Sequence, residues 1–514
     1  MESVAEGRPT ESDEPTTLTS LPGELIVKII ECLDWTDILT LRQCCQLLSV
    51  LTKERSVWLA LFHRYYETEF ARPFFLPKPL SFCTAQDLES RILRWWLGLY
   101  RLPDTSLEPD DHPVADEFCF PRGLMPVGGY YLFQSEDGGL WYQRPSGLPR
   151  QLTPPAISLD GLSGNVYCSF DLLSGHIGDT PGQPSYTTIE DATFPTSFNM
   201  VTLGVYRKTS TSGSRIVYMS IIRVWQITVE YEGDEDEVSY TSRLLKTFIH
   251  PDPRGKAVEC SLYGRHLAYR VALPPVDPFG WEDEDRELVC VQDWTVDSVD
   301  EPWDKFSPRI VFRVPDRTEG IFLLPNQHIL VYAKGAGKVQ LLDFKPLPPT
   351  HHPFPSYDNL PIASSAWEHW IHSALTHYAM RPFYIRNSIR FVIPNHDALT
   401  GVKIPLAALQ GESNEVPEVL IFSKGHCKPM HEDLWFGYHF GFHSSGSSCI
   451  LQRYSWGDES GPRILQQQSQ TRLRFELISF FGRRDAHYLF YDESQGHLSA
   501  FPTCFSTYTI LTDV

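Results

Sequence analysis

The amino-acid sequence predicts a multidomain α+β protein in which a small all-α module precedes a larger, mainly-β domain. The chain has 514 residues, which is more than one ordinary domain holds. Apolar residues follow helical spacing near the N-terminus, and beyond Pro103 they fall into short β-branched and aromatic runs separated by turn residues. We therefore expect a disordered tail over 1–17, a helical module over 18–64, a linker and coupling helix over 65–105, and a β domain over 106–514.

The helical module begins where the polar, charged tail gives way to a repeating apolar pattern. Its first helix is predicted from apolar residues four positions apart, widened by two neighbours: Leu21, Leu25, Ile29 and Leu33, with Ile26 and Ile30. Ser20 can cap this helix, and Pro22 suits its first turn. A break at 34–37 precedes a second helical region over 38–48, and a third begins near Arg55. Such short helices bury little surface, so either a partner chain covers their surplus apolar face or the C-terminal domain does.

The linker is predicted to contain one stiff stretch and one helix. Prolines interrupt the stretch 71–79, which is typical of a stiff connector. Thr84 and Asp87 have capping-box spacing, and apolar residues follow at helical intervals, so we expect a helix from Thr84 to Arg101. Pro103 should end it.

The β region contains a degenerate internal repeat. A polar turn, one histidine and an apolar strand ending in tyrosine occur at 265–269, 327–332 and 486–491. Such recurrence is typical of β-propeller blades, and at roughly 50 to 60 residues per blade the region would hold about six to eight. A β-sandwich or a distorted propeller accounts for the same pattern. One exception is expected to be helical, at Ala363–Thr376.

Composition excludes several classes of function. The formal charge of −20, with 64 acidic residues against 44 lysines and arginines, argues against a nucleic-acid-binding protein. No apolar run approaches the roughly 18 residues of a membrane helix, so no membrane partner is expected. The 11 cysteines include no CxxC pair, which is typical of reduced thiols. Met1–Ser20 is acidic and lacks the pattern of a signal peptide, so we expect a cytoplasmic or nuclear protein.

The helical module resembles an F-box. The residues that carry the resemblance are Leu21-Pro22-x-Glu24-Leu25, Ile29, Leu33, Asp37-Ile38-Leu39, Leu41-Arg42-x-Cys44 and Trp58. They follow the family's order and spacing over about Thr19 to Arg64, which is under a tenth of the chain. The sequence departs from the family after Cys44, where Cys45-Gln46-Leu47-Leu48 is less polar than the usual basic-aromatic pair.

The resemblance implies docking onto the Skp-type adaptor of a cullin-RING ubiquitin ligase, with the β-rich domain recruiting an unknown target protein. It also implies which residues lie at or beneath the adaptor interface: Leu21, Pro22, Leu25, Ile29, Leu33, Leu39, Leu41 and Cys44, with Trp58 securing the third helix. An apolar helical surface of this kind fits a groove between partner helices.

The sequence predicts a non-catalytic adaptor subunit that needs no cofactor and no metal. Gly335–Lys338 lacks the helix that should follow a phosphate loop and is interpreted as a hairpin turn. His369 and His372 lack the further ligands of a zinc site, and the histidines at 426, 431, 439 and 443 are interpreted as ordinary ones. Trp281 and Trp303, each beside acidic residues, are candidate target contacts or loop anchors. Two other hypotheses are an F-box scaffold outside any ligase and an enzyme with its site in a propeller channel.

Overall fold

The computed structural model describes most of the chain and divides it into two compact units. The described residues are 18–97, 122–135, 138–144, 149–154, 166–178, 186–209, 216–233, 237–250, 255–273, 286–296, 308–314, 318–333, 337–350, 357–371, 382–394, 398–424, 438, 440–445, 448–457, 470–477, 487–492, 497–502 and 508–512. Unit 1 comprises Met1–Tyr65 and Cys83–Leu93, and unit 2 comprises Tyr66–Phe82 and Arg94–Val514. The predicted tail over 1–17 lies outside the described residues, and the predicted linker over 65–105 is shared between the two units.

The N-terminal helices follow the predicted apolar spacing. A 3-10 turn at Leu18–Ser20 precedes α1 (Gly23–Ile30), α2 (Trp35–Arg42), α3 (Gln46–Leu51), α4 (Arg55–Thr68), a second 3-10 turn at Leu80–Phe82, and α5 (Ala85–Leu97). The second predicted helical region is thus two helices. Pro22 occupies the N-cap position of α1 and makes no side-chain cap hydrogen bond, and Ser20 lies two residues earlier, in the preceding 3-10 turn.

The predicted capping box of α5 is confirmed. The Thr84 N–H donates to Asp87 Oδ2 at 2.8 Å, and the Asp87 N–H donates to Thr84 Oγ1 at 3.2 Å. These reciprocal bonds satisfy backbone groups that otherwise lack partners at a helix start. None of the helices that the structure describes combines the length and apolar character of a membrane-spanning segment.

Unit 2 consists mainly of antiparallel sheets. Its described strands form six four-stranded sheets and one two-stranded sheet. The first sheet contains β1 (Arg122–Val127), β2 (Tyr130–Gln134), β3 (Leu140–Gln143) and β4 (Arg150–Gln151). The second contains β5 (Val166–Asp171), β6 (Ser197–Thr209), β7 (Ile216–Glu232) and β8 (Glu237–His250). The third contains β9 (Lys256–Tyr263), β10 (His266–Ala272), β11 (Glu287–Asp293) and β12 (Arg309–Arg313). The fourth contains β13 (Thr318–Leu324), β14 (His328–Ala333), β15 (Lys338–Asp343) and β16 (Ser364–Trp370). The fifth contains β17 (Phe383–Ile385), β18 (Ser388–Pro394), β19 (Ala398–Pro405) and β20 (Glu418–Lys424).

The last sheets include one crossover. The sixth contains β21 (Phe440–Ser445), β22 (Ser448–Arg453), β23 (Gln470–Leu477) and β26 (Tyr508–Thr512), and the two-stranded sheet contains β24 (His487–Asp492) and β25 (His497–Pro502). Short helices α6 (Ser174–Ile177), α7 (Ile189–Thr193) and α8 (Leu406–Gln410) lie between strands. The first five sheets each use consecutive strands, which makes them blade-like. The predicted combination of N-terminal helices and a mainly-β remainder is therefore confirmed, and the structure adds that the sheets are antiparallel.

Two local predictions in the fourth sheet have different outcomes. Ala333 pairs with Lys338 across the β14–β15 hairpin, in agreement with the predicted turn at 335–338, of which residues 335–336 lie outside the described residues. The predicted helix Ala363–Thr376 is wrong over its described part, since Ser364–Trp370 is strand β16. Pairing with β15, for example Glu368 with Gln340, overrides the helical spacing of the tryptophans.

The apolar cores of unit 2 lie within and between neighbouring sheets. One cluster includes Val331, Phe391 and Val402 from the fourth and fifth sheets, and all three are buried. A second includes Leu132 and Ile227 from the first and second sheets. Side chains of successive sheets therefore share cores instead of forming separate ones.

The segment Tyr66–Phe82, which we call the strap, is integrated into unit 2. Arg72 pairs with Tyr384, the middle residue of β17, with N–O distances of 2.7 and 2.8 Å. The Leu76 N–H donates to the Thr193 carbonyl at 2.9 Å. The stretch predicted as a connector therefore also makes backbone hydrogen bonds to two different parts of the β domain.

Buried side chains hold the strap further. Glu69 accepts a 2.5 Å hydrogen bond from Arg386, and its side chain is almost fully buried. Phe70 and Phe74 stack at 4.5 Å, and both contact the Trp95 ring edge-on. Rings packed this closely bury large apolar areas and fix the strap in place.

Candidate partner-binding site

Helix α1 buries one apolar stripe and exposes the adjacent one. Ile26 and Ile30 are completely buried, whereas Leu25 is 51% exposed and Ile29 is 42% exposed. A helix has 3.6 residues per turn, so each pair lies along one line on the helix surface. The helix therefore presents large aliphatic side chains to water as well as to its own core.

Helix α3 exposes further apolar side chains. Leu47 is 44% exposed and Val50 is 58% exposed, while Leu48 between them is buried. Helices α1 and α3 contact each other. We refer to Leu25, Ile29, Leu47 and Val50 as the exposed apolar set, and large exposed apolar groups of this kind mark surfaces that bind other proteins.

The structure distributes the predicted adaptor-binding residues over three levels of burial. The exposed residues are Pro22, Leu25, Ile29 and Cys44. The partly buried residues are Leu21, Leu33, Leu39 and Leu41, and Trp58 is fully buried. The first two groups can touch a partner directly, whereas Trp58 can act only through the fold of the module.

A polar frame around Trp58 joins α2, α4 and α5. The Trp58 indole N–H donates to the Thr52 carbonyl at 2.9 Å, and Arg42 donates to the same carbonyl at 3.3 Å. Arg42 also forms a two-pronged pair with Glu89 at 2.7 and 3.1 Å. Bidentate guanidinium–carboxylate pairs add geometric specificity, so this frame holds α2, α4 and α5 in one arrangement.

A second set of polar contacts caps the end of α1. Arg64 donates to the carbonyls of Cys32 and Leu33, which lie just beyond that helix. Asp34 pairs with Arg64 at 3.5 Å and accepts from the Tyr65 hydroxyl at 3.2 Å. Burial, followed by the nearby Asp34 charge, raises the pKa of Tyr65, so the hydroxyl keeps its proton and remains a donor. The turn between α1 and α2 is thereby anchored on α4.

Residues outside the prediction also belong to this site. Leu18, Leu47 and Val50 are exposed apolar residues that the family motif does not name. Leu47 and Val50 are three positions apart, a spacing that places two side chains on one face of a helix and could have identified them. Arg42 and Glu89 are far apart in sequence, and no local pattern predicts their pairing.

The exposed apolar set can bind another molecule by burial of its aliphatic side chains. Across the described ranges no three His, Cys, Asp or Glu side chains are grouped to hold a metal ion. His369 lies on strand β16. His372, His426, His431, His439, Trp281 and Trp303 lie outside the described residues, and His443 lies in β21.

Comparisons with known proteins return structures only. No protein-family model and no curated protein matches this chain. It is similar to the PQQ-bound aldose sugar dehydrogenase of Streptomyces coelicolor, with 13% identity, coverage of 71% of this chain and 96% of that chain, and a TM-score of 0.29. It is also similar to the AfRom2 CNH domain, with 9% identity, coverage of 78% of this chain and 98% of that chain, and a TM-score of 0.27. A third similar structure is the WD40 domain of SCAP from fission yeast, with 12% identity, coverage of 77% of this chain and 78% of that chain, and a TM-score of 0.26. These TM-scores are all below 0.5, so the neighbours do not define the function of this chain.

Proposed function

We propose that this chain is an F-box substrate receptor. Its helical module docks on a Skp-type adaptor and, through it, on a cullin, while its β domain, arranged as a propeller, binds a target protein for ubiquitination. The observation that carries the proposal is the exposed apolar set on α1 and α3, in a module whose residues resemble the F-box motif. The receptor performs no bond chemistry itself and acts by raising the effective concentration of target lysines near a ubiquitin-loaded enzyme.

Burial of the exposed apolar set supplies free energy for docking. Complete burial of one aliphatic side chain stabilises by about 1.5–3 kcal/mol. Leu25, Ile29, Leu47 and Val50 are each roughly half exposed, so each can still contribute about 1 kcal/mol. The set as a whole offers about 3–5 kcal/mol before the partly buried residues are counted. The hydrogen bonds to the Thr52 carbonyl, just after α3, and those from Arg64 to the carbonyls just after α1 hold the two helices that carry the set, which lowers the entropic cost of binding.

The blade-like sheets support the propeller part of the proposal. Five sheets of four consecutive antiparallel strands, followed by a sixth with a crossover, follow one another along the chain. A radial arrangement of such sheets leaves only short, protected edges. Loops at the ends of rigid blades then provide variable surfaces for a target.

A binding experiment with matched variants tests the docking proposal. Tagged full-length chain is mixed with a purified Skp-type adaptor, and the retained adaptor is quantified. We expect retention by the wild type and a loss of at least about tenfold with Leu25→Asp plus Ile29→Asp, because two buried carboxylates would replace two aliphatic contacts. The control Val416→Asp plus Ile421→Asp adds the same charge at exposed aliphatic positions of unit 2 and should retain the adaptor.

Two outcomes contradict the proposal: the wild-type chain fails to retain the adaptor, or the Leu25/Ile29 variant retains as much as the control. The ligase role is tested separately, by adding cullin to the complex and measuring ubiquitin transfer. Adaptor binding without cullin recruitment or transfer would instead indicate a scaffold outside the ligase.

A further inference from the structure

Strand β20 forms an open edge of the fifth sheet. The strand order is β17-β18-β19-β20, and β20 pairs with β19 from Glu418 to Lys424. Among the described residues no strand pairs with its other side. Every second backbone N–H and C=O of an edge strand points outward, which provides a template for another extended chain.

Aliphatic side chains are exposed along this edge. Val416, just before the strand, is 72% exposed, and Ile421 within it is 58% exposed. Two neighbouring side chains face inward. Val419 packs against the core that contains Val331, Phe391 and Val402, and Phe422 stacks on Tyr454 at 4.5 Å. An exposed apolar edge strand promotes aggregation unless something covers it.

The loop leading to the strand is held in one conformation. Gly411 ends α8 with a φ of +75°, which suits glycine at this position. The Glu412 N–H donates to the Ala407 carbonyl at 2.9 Å, and the Glu415 N–H donates to Ser413 Oγ at 3.0 Å. Val416 is therefore presented by an ordered loop, and a partner spends little free energy to order it.

The charge around the edge determines which partner fits. Residues 411–424 contain three acidic residues, Glu412, Glu415 and Glu418, and one cation, Lys424, the last residue of the strand. All three glutamates are exposed, and among the described residues only Glu418 forms an ion pair, with Lys403 at 3.7 Å. A second copy of this chain would bring the same carboxylates into contact, and the chain as a whole carries a charge of −20, so self-pairing is opposed by repulsion.

We propose that the open edge of β20 binds an extended segment of a partner protein in which lysine or arginine alternates with aliphatic residues. The segment pairs with the β20 backbone from Glu418 onward, because Pro417 has no N–H to donate. Its aliphatic side chains cover Val416 and Ile421, and its cations lie against Glu412 and Glu415. Backbone pairing supplies affinity, and the alternating side chains supply specificity. This inference rests on the proposed function in one respect only: it takes the partner protein to be the target that the receptor recruits for ubiquitination.

The test uses full-length chain and three labelled heptapeptides, with binding followed by fluorescence anisotropy. The probe alternates lysine with valine and isoleucine (KVKIKVK); one comparison peptide replaces lysine by glutamate (EVEIEVE), and the other has a central proline (KVKPKVK). We expect the lysine probe to bind at least about tenfold more tightly than either comparison peptide in 50 mM salt. Raising the salt to 300 mM should weaken it several-fold, because surface charges are screened.

Variants locate the binding. Val416→Ser plus Ile421→Ser, and separately Glu412→Lys plus Glu415→Lys, should each weaken the lysine probe at least about fivefold. The control Leu244→Ser plus Ile249→Ser changes exposed aliphatic residues on β8, the outer strand of another sheet, and should leave binding unchanged.

Four results overturn the inference: no binding of the lysine probe up to about 1 mM, equal binding of the proline peptide, equal binding to the β20 variants, or a concentration-dependent dimer that Val416→Ser plus Ile421→Ser abolishes. The adaptor-binding variant Leu25→Asp plus Ile29→Asp separates this inference from the proposed function. It should lose the adaptor and keep the peptide, so each claim can fail without the other.

Discussion

Glu259 provides a test of how the third and fourth sheets are joined. Its carboxyl lies on β9, where Oε1 accepts the Ile321 N–H from β13 at 3.2 Å. Arg270 lies 3.4 Å away but also pairs with Glu287 at 2.6 Å. One guanidinium is thus shared between two carboxylates, and Glu287 also accepts the Thr318 N–H at 2.7 Å. Glu259 is largely buried and shares the positive charge of Arg270 with Glu287, and this disfavours ionisation of its carboxyl group.

The sign of the pH effect follows from the pKa. Burial raises the pKa of Glu259 from 4.5 to about 7, against the opposing effect of Arg270. Between these two pH values the folded chain holds a proton that the unfolded chain has released, so the free energy of unfolding falls as pH rises from 4.5 to 7. The full shift corresponds to about 3 kcal/mol. Because 21% of the side chain remains exposed, solvent screening reduces the expected effect to about 1–2 kcal/mol.

Replacing Glu259 by glutamine should remove this pH dependence. The amide oxygen can still accept from Ile321, and the group no longer ionises. Urea denaturation from pH 5 to 8 measures the free energy of unfolding of both proteins. As the pH rises over this range, we expect the stability of Glu259→Gln to increase relative to that of the wild type by about 1–2 kcal/mol. Glu368→Gln, which changes an exposed carboxylate on β16, should leave the profile unchanged over this range. Parallel profiles for Glu259→Gln and wild type would show that the buried carboxyl is ionised throughout, and the reasoning would be wrong.

Substitutions at three positions test contacts that stabilise each unit by itself, and urea denaturation measures their effects. Trp58→Phe should cost about 1–2 kcal/mol through loss of its hydrogen bond to the Thr52 carbonyl, and Trp58→Ala about 3–5 kcal/mol; a Trp58→Phe variant as stable as the wild type would refute a role for that bond. Arg386→Met should destabilise unit 2 by about 2–4 kcal/mol because Glu69 is buried beside it, and a neutral effect would contradict the ion pair. Thr84→Ala should cost about 1 kcal/mol by breaking the capping box of α5, whereas Thr84→Ser should cost little.

The sequence predicts the helices well because their signals are local. Apolar spacing defines α1, and the exchange of hydrogen bonds between Thr84 and Asp87 follows from a four-residue pattern. Which stripe of α1 faces water cannot be read in the same way. Leu25 and Ile26 are equally apolar, and only packing against the other helices makes one exposed and the other buried.

The failures come from long-range pairing. Trp367, Trp370 and Ile371 have helical spacing, yet pairing with β15 makes their segment a strand. The strap shows the same limit: its prolines indicate stiffness, but nothing nearby in sequence predicts that Arg72 pairs with Tyr384. Contacts between residues hundreds of positions apart leave no periodic signal in a single sequence.

The central claim, that a second protein completes the apolar surface of the helical module, can be measured at its own side chains. Hydroxyl-radical footprinting with mass spectrometry reports the solvent exposure of individual aliphatic residues in the full-length chain. We expect Leu25 and Ile29 to be oxidised in the free chain and protected several-fold when a Skp-type adaptor is added, while the buried Ile26 and Ile30 stay unreactive in both states. Oxidation of Leu25 and Ile29 at the same rate with and without the adaptor, or their lack of reaction in the free chain, would contradict the claim.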